Sequence, residues 1–176
     1  HLSGTIPAFS PLATKMKRFD VGSAGHRKNN FTGSLDPLVN LTSITVMDVT
    51  GNSISGTLDP LINFTKLQAL ALNKNKLTGN INALASIRTL YALILHENNF
   101  SGTIDELRNL TNLLALSLFS NKFSGSIDTL RNFKYLRLLR VDDNEFRGTI
   151  DALSELDKLE NSVVEREPIF GVSRCF

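Results

Sequence analysis

The sequence predicts an α/β solenoid: a coil of equal turns, with a parallel β-sheet on the concave side and short helical or 3₁₀ turns on the convex side. Three observations predict it. Gly33, Gly56, Gly79, Gly102, Gly125 and Gly148 recur every 23 residues, a period typical of stacked structural repeats. Apolar residues hold fixed places within that period. Asn52, Asn75, Asn98, Asn121 and Asn144 form a polar column at the same spacing.

One turn serves as a template: Leu67, Leu70, Leu72, Asn75, Leu77, Gly79, Ile81, Leu84 and Ile87. The next three turns repeat it, through Leu90 and Leu93, Leu113 and Leu116, and Leu136 and Leu139; Ile44 and Met47 repeat it backwards. Each strand piece alternates apolar and variable residues, the period of a half-buried strand. Stacked turns place these strands side by side, ~4.8 Å apart. The asparagine column follows the strand, where the chain turns. Its amide both donates and accepts, so it can satisfy backbone groups that turning leaves unpaired.

A second polar column, Asp36, Asp59, Asn82, Asp105, Asp128 and Asp151, opens the far side of each turn. Asp and Asn favour helix N-caps, and Pro37 and Pro60 stand where a missing N–H costs nothing. The column is therefore expected to cap short helical turns. A carboxylate ladder holding calcium is the alternative; Asn82 interrupts it, and capping uses the same oxygens.

The ends depart from the frame. Met16, Phe19 and Val21 precede Ile44, Met47 and Val49 by 28 residues. The extra residues are expected in a loop insertion over 22–29, and insertions in repeats often carry binding. Residues 159–176 read as a degenerate C-terminal capping repeat, with Ser162 and Glu167 in place of Leu and Asn. The chain opens inside a repeat, at Leu2-Ser3-Gly4, and no secretory signal is visible there. It is expected to be a piece of something longer, with its N-terminal cap absent or atypical. Cys175 is the single cysteine. It reads as a free thiol, with the orphan half of a lost pair as the alternative.

The period and the frame L-x-x-L-x-L-x-x-N-x-L identify a leucine-rich repeat. The text Asn98-Asn99-Phe100-Ser101-Gly102-Thr103-Ile104, repeated from Asn121 to Ile127, resembles the plant-type class. The match runs through Leu2-Ser3-Gly4-Thr5-Ile6-Pro7 and covers nearly the whole chain. The resemblance implies a single domain of about seven turns in a right-handed superhelix, with a second small strand at G-x-I that twists the coil. It implies recognition of peptides, proteins or small ligands on the inner face. The sequence departs from the class in its period of 23 rather than 24, in the Asp that follows Ile, and in lacking paired capping cysteines.

Function is expected to be non-catalytic. No Ser or Cys nucleophile with an orienting acid is apparent, and no phosphate loop or Cys/His metal spacing occurs; neither cofactor nor metal is expected. His96 reads as a solvent-facing histidine rather than a general base. The net charge of +2 gives no basic excess for nucleic acid. No run reaches the ~18 apolar residues of a membrane span.

The strand register turns the variable columns toward the concave face. They place Asp48, Asn73, Ile94, His96, Ser117, Phe119, Arg140 and Asp142 there as candidate partner-binding residues. Ile94 and Phe119 form an apolar centre with a polar rim, the common anatomy of interfaces. Small residues in mid-array leave room for a partner. The expected function is a protein- or peptide-recognition module. The alternatives are a structural spacer of an adhesin-like surface protein, and ice or crystal-surface binding through the Ser and Thr that flank the glycine column. Five N-x-S/T sequons, at Asn30, Asn40, Asn63, Asn99 and Asn109, are glycosylation candidates. With the resemblance, they favour an extracellular or cell-surface location.

Overall fold

The computed structural model describes residues 2–9, 15–23 and 29–162. The strands, in chain order, are β1 (Ser3–Thr5), β2 (Arg18–Asp20), β3 (Asn30–Gly33), β4 (Val46–Asp48), β5 (Ser53–Gly56), β6 (Ala69–Ala71), β7 (Lys76–Gly79), β8 (Ala92–Ile94), β9 (Asn99–Gly102), β10 (Ala115–Ser117), β11 (Lys122–Ser126), β12 (Leu138–Arg140), β13 (Glu145–Arg147) and β14 (Asn161–Ser162). Odd and even strands form two separate seven-stranded sheets, each stacked in chain order. The pairings are parallel throughout.

The even sheet is the concave one. Met47, Leu70, Leu93, Leu116 and Leu139 pair in succession, so repeat equivalents lie directly side by side. The odd sheet has a different register. Gly56 pairs with Leu77, Gly79 with Phe100 and Gly102 with Phe123, an offset of 21 rather than 23. Equivalent residues therefore slip by two positions per turn, roughly 6.6 Å at ~3.3 Å per residue. The second sheet is sheared against the first.

The core lies between the sheets and the convex turns. Leu67, Leu70, Leu72, Leu77, Ile81, Leu84 and Ile87 are all buried, as are their equivalents through Leu136 and Leu139. Phe123 sits in a run of parallel rings, with Phe100 at 6.1 Å and Phe146 at 6.2 Å between centroids. The glycine column has left-handed backbone, φ +82° at Gly79 and Gly125. At Gly125 a Cβ would also meet Thr103 Cγ2 at 3.0 Å.

The asparagine column bridges successive turns. Asn98 Oδ1 accepts from the backbone N–H of Leu77 at 3.0 Å. Its Nδ2 donates to the carbonyls of Leu72, in the previous turn, and Leu95, in its own, both at 3.0 Å. Asn52, Asn75, Asn121 and Asn144 repeat the pattern. One side chain thus joins both sheets across two turns.

The convex turns correct one expectation. Among the described residues the helical turns are all 3₁₀, and the Asp column does not cap them. Asp36, Asp59, Asn82, Asp105 and Asp128 are the first residues of their turns; Leu35, Leu58, Ile81, Ile104 and Ile127 stand at the caps without side-chain bonds. The chain enters each turn through a core residue, because that side chain must reach the axis. The residue two before each Asp or Asn takes the polar role instead. The backbone N–H of Asp128 donates to Ser126 Oγ at 3.0 Å, and that hydroxyl donates to the Asp128 carboxylate at 2.7 Å. Thr57 and Asp59 do the same, and Asn80 accepts from the N–H of Asn82.

Residues 24–28, the middle of the expected loop insertion, and 163–176, most of the expected capping repeat with Cys175, lie outside the described residues.

Candidate functional site

Adjacent turns bring together five of the eight candidate residues on the concave side: His96, Ser117, Phe119, Arg140 and Asp142. Phe119 follows β10 by two residues, so its side chain shares a face with Ala115 and Ser117. Two residues beyond β8, the His96 ring stacks on the Phe119 ring, with centroids 4.3 Å apart and planes 11° apart. From β12, the Arg140 guanidinium carbon sits 3.7 Å from the same ring's centre. Phe119 is thus held between an imidazole and a guanidinium. Such aromatic and cation–π contacts each contribute about 0.5–1.5 kcal/mol in partly exposed settings.

Second contacts fix both outer layers. Arg140 Nη2 lies 3.4 Å from Asp142 Oδ2, with only 12% of the Asp142 side chain exposed. His96 Nδ1 and Ser117 Oγ are 3.0 Å apart. Burial depresses the His96 pKa below the ordinary imidazole value. Lys74 and Arg140 lower it further, while Glu97 and Asp142 act the other way. Arg140 Nε and Asp142 Oδ1 are buried without a hydrogen-bond partner among the described residues.

Ile94, Asp48 and Asn73 take separate places. Ile94 is half-buried in β8, between Ala71 and Ser117 in the register. Asp48 is half-buried in β4, where Oδ1 accepts from the backbone N–H of Thr50. Ser117 and Asn73 are buried, 3% and 7% exposed; Ser117 supports His96, and Asn73 Oδ1 accepts from Thr50 Oγ1 at 2.8 Å. Beside His96, a polar cleft of about 380 Å³ runs along the end of the strands, lined by Ser23, Thr50, Asn73, Lys74 and His96 among others.

Two apolar residues enlarge the surface beyond the sequence-derived set. Tyr91 and Leu114 are 42% and 40% exposed. They lie at the start of β8 and β10, joined by the bond from the N–H of Leu114 to the carbonyl of Tyr91. The signal was present: their column otherwise reads Thr45, Gln68, Arg137 and Glu160. Tyr91 and Leu114 immediately precede Ala92 and Ala115, the first residues of those strands.

The hydroxyls beside the glycine column are engaged locally. Ser34, Thr57 and Ser126 bond the neighbouring Asp, and Thr32, Ser55 and Thr78 reach the carbonyl of the preceding turn's glycine. Among the described residues no helix is long and apolar enough to cross a membrane.

No family model and no curated protein matches the chain. Solved structures do. The ectodomain of the Arabidopsis thaliana receptor kinase GASSHO1/SCHENGEN3, in complex with CASPARIAN STRIP INTEGRITY FACTOR 2, is 33% identical over 90% of this chain and 19% of its own, with a TM-score of 0.78. The Arabidopsis receptor kinase HAESA, in complex with the peptide hormone IDA and the co-receptor SERK1, is 26% identical over 88% of this chain and 27% of its own, at 0.75. Internalin C2 from Listeria monocytogenes is 28% identical over 77% of this chain and 67% of its own, at 0.61. The chain thus spans about a fifth to a quarter of the two plant proteins it matches. The 23-residue frame, the paired parallel sheets, the asparagine ladder and these likenesses together make the chain a leucine-rich-repeat protein that resembles the plant type.

Proposed function

We propose that the chain is an extracellular recognition module whose concave sheet binds a peptide or protein ligand. The observation that carries this reading is the Phe119 sandwich. A ring clamped on both faces by His96 and Arg140 cannot swing. Its ordering entropy is already lost before a ligand arrives, and such preorganisation raises affinity. Alanines 69, 71, 92 and 115 keep the adjacent sheet low, and Ile94, Leu138, Tyr91 and Leu114 supply apolar contact area. Arg140 and Asp142 add a polar corner at its rim. An apolar side chain of the ligand would seat over Ile94, against the edge of the Phe119 ring. The plant structures that the fold resembles include complexes with a peptide hormone, which agrees with this reading.

The test starts from peptides selected from a random library against the immobilised, bacterially produced chain. Ile94→Asp and Phe119→Ala should weaken the selected peptides at least about tenfold, roughly 1.4 kcal/mol. Ile62→Asp, on the convex side, should leave binding within about twofold. Peptides indifferent to both concave substitutions, with folding intact by circular dichroism, would refute the assignment of the face.

A further inference from the structure

Ten of the chain's asparagines fall into two groups. Asn52, Asn75, Asn98, Asn121 and Asn144 are tied into the backbone, and none opens an N-x-S/T sequence. The five that do, Asn30, Asn40, Asn63, Asn99 and Asn109, are all exposed. Strand and turn geometry explains the coincidence. The middle residue of four of the five sequons, Leu41, Phe64, Phe100 and Leu110, is fully buried. A core residue at the centre turns its neighbours on either side outward.

The sequons fall on two lines. Asn40, Asn63 and Asn109 share one repeat column, at or just after the convex 3₁₀ turns Asp36–Leu38, Asp59–Leu61 and Asp105–Asn109. Asn30 and Asn99 open β3 and β9 of the second sheet. The concave strands carry none of them. A separate observation marks the convex line. Val39 and Ile62, directly before Asn40 and Asn63, are 44% and 57% exposed. Elsewhere their column reads Ala85, Arg108, Arg131 and Ser154. Large apolar side chains thus stand in water on this line only beside a sequon, where a sugar would cover them.

We infer that the exported chain carries N-linked glycans at these five asparagines, sheathing the convex and flanking surfaces and leaving the concave sheet bare. In the transfer, the side-chain nitrogen attacks C1 of an oligosaccharide carried on a lipid pyrophosphate. The C1–N bond forms, the C1–O bond to the pyrophosphate breaks, and the lipid pyrophosphate leaves with the electron pair. The amide proton passes to a base of the transferase. Thr32, Thr42, Thr65, Ser101 and Thr111 supply the hydroxyl that the acceptor sequence requires. This inference rests on the extracellular reading above but not on its binding experiment, which uses unglycosylated protein.

The test uses the full chain, secreted from insect cells behind a cleavable leader. Peptide N-glycosidase should lower its mass and convert all five asparagines to aspartate in the peptide map. In hydroxyl-radical footprinting, Val39 and Ile62 should oxidise several-fold more slowly before enzyme treatment than after it, with Tyr91 and Phe119 unchanged. The double variant N40Q/N63Q should show the fast rates at Val39 and Ile62 without treatment. Secreted, folded protein with Asn40 and Asn63 unmodified overturns the inference, as does protection that falls on Tyr91 and Phe119 instead.

Discussion

Asn98 and Asn99 are adjacent in the chain and opposite in role. Asn98 is 8% exposed and serves four backbone groups. Asn99 is exposed and opens a sequon. Each buried backbone group left without a partner costs about 1–3 kcal/mol. Asn98→Ala should therefore lower unfolding stability in urea by roughly 3 kcal/mol or more. Asn99→Ala should stay within about 0.5 kcal/mol, as exposed substitutions do. Equal losses for the two would refute the staple role of Asn98. His96 supplies a second prediction at this level. Its pKa is depressed in the folded chain, chiefly by burial, while the unfolded chain titrates near ~6.5. Between those values the unfolded state binds more protons, so stability rises with pH. The contribution is complete above ~6.5 and is lost as pH falls toward the lowered folded value. Relative to His96→Gln, the wild-type chain should lose stability on acidification from neutral pH. A difference that stays flat across the titration would contradict a His96 whose burial disfavours its charged form.

The strands and turns owe their shape to close approach. Gly102 and Gly125 have almost the same backbone, φ +85° and +82°. An alanine at either would take on left-handed strain of about 1–2 kcal/mol. Only at Gly125 does the added methyl also meet a side chain at 3.0 Å, the Thr103 methyl; at Gly102 the nearest atom lies at 3.5 Å. Gly125→Ala should therefore cost more than Gly102→Ala by thermal unfolding, and Thr103→Ser should remove most of the excess. Were Thr103→Ser to leave the gap intact, the contact would not be its source. The bend after β6, β8, β10 and β12 is left-handed without glycine, at Lys74, Glu97, Ser120 and Asp143. Gly51 fills that place in an earlier turn and was the one sequence hint of it. Lys74 and Glu97 pair at 3.5 Å along this column; both are half-exposed, so the pair contributes little to stability.

A stack of near-identical turns derives its stability from each turn and its two neighbours. The concave register is uniform between Met47 and Leu139, so one whole turn can be removed without a misfit. Deleting residues 76–98 joins Asn75 to Asn99 and restores the frame. The shortened chain should fold cooperatively, with a urea m-value reduced roughly in proportion to the surface removed. It loses Ile94 and His96, so peptides selected on the parent should no longer bind. Retained binding would place the ligand elsewhere on the molecule.

Composition of the turns was legible from end to end because a solenoid repeats its environment every 23 residues. A buried leucine column, an asparagine staple and a parallel sheet follow from local spacing alone. The outward face of Ile94 and Phe119 followed too, since alternation in a strand is local. Sequence spacing did not reveal that Phe119 is clamped by residues from the turns on either side, or that Ser117 and Asn73 are withdrawn beneath that surface. Nor did it show that the aspartate column begins its turns instead of capping them, or that the second sheet slips by two residues per turn. Those outcomes depend on how side chains of neighbouring turns compete for the same space and the same hydrogen bonds. That competition exists only once the turns are stacked.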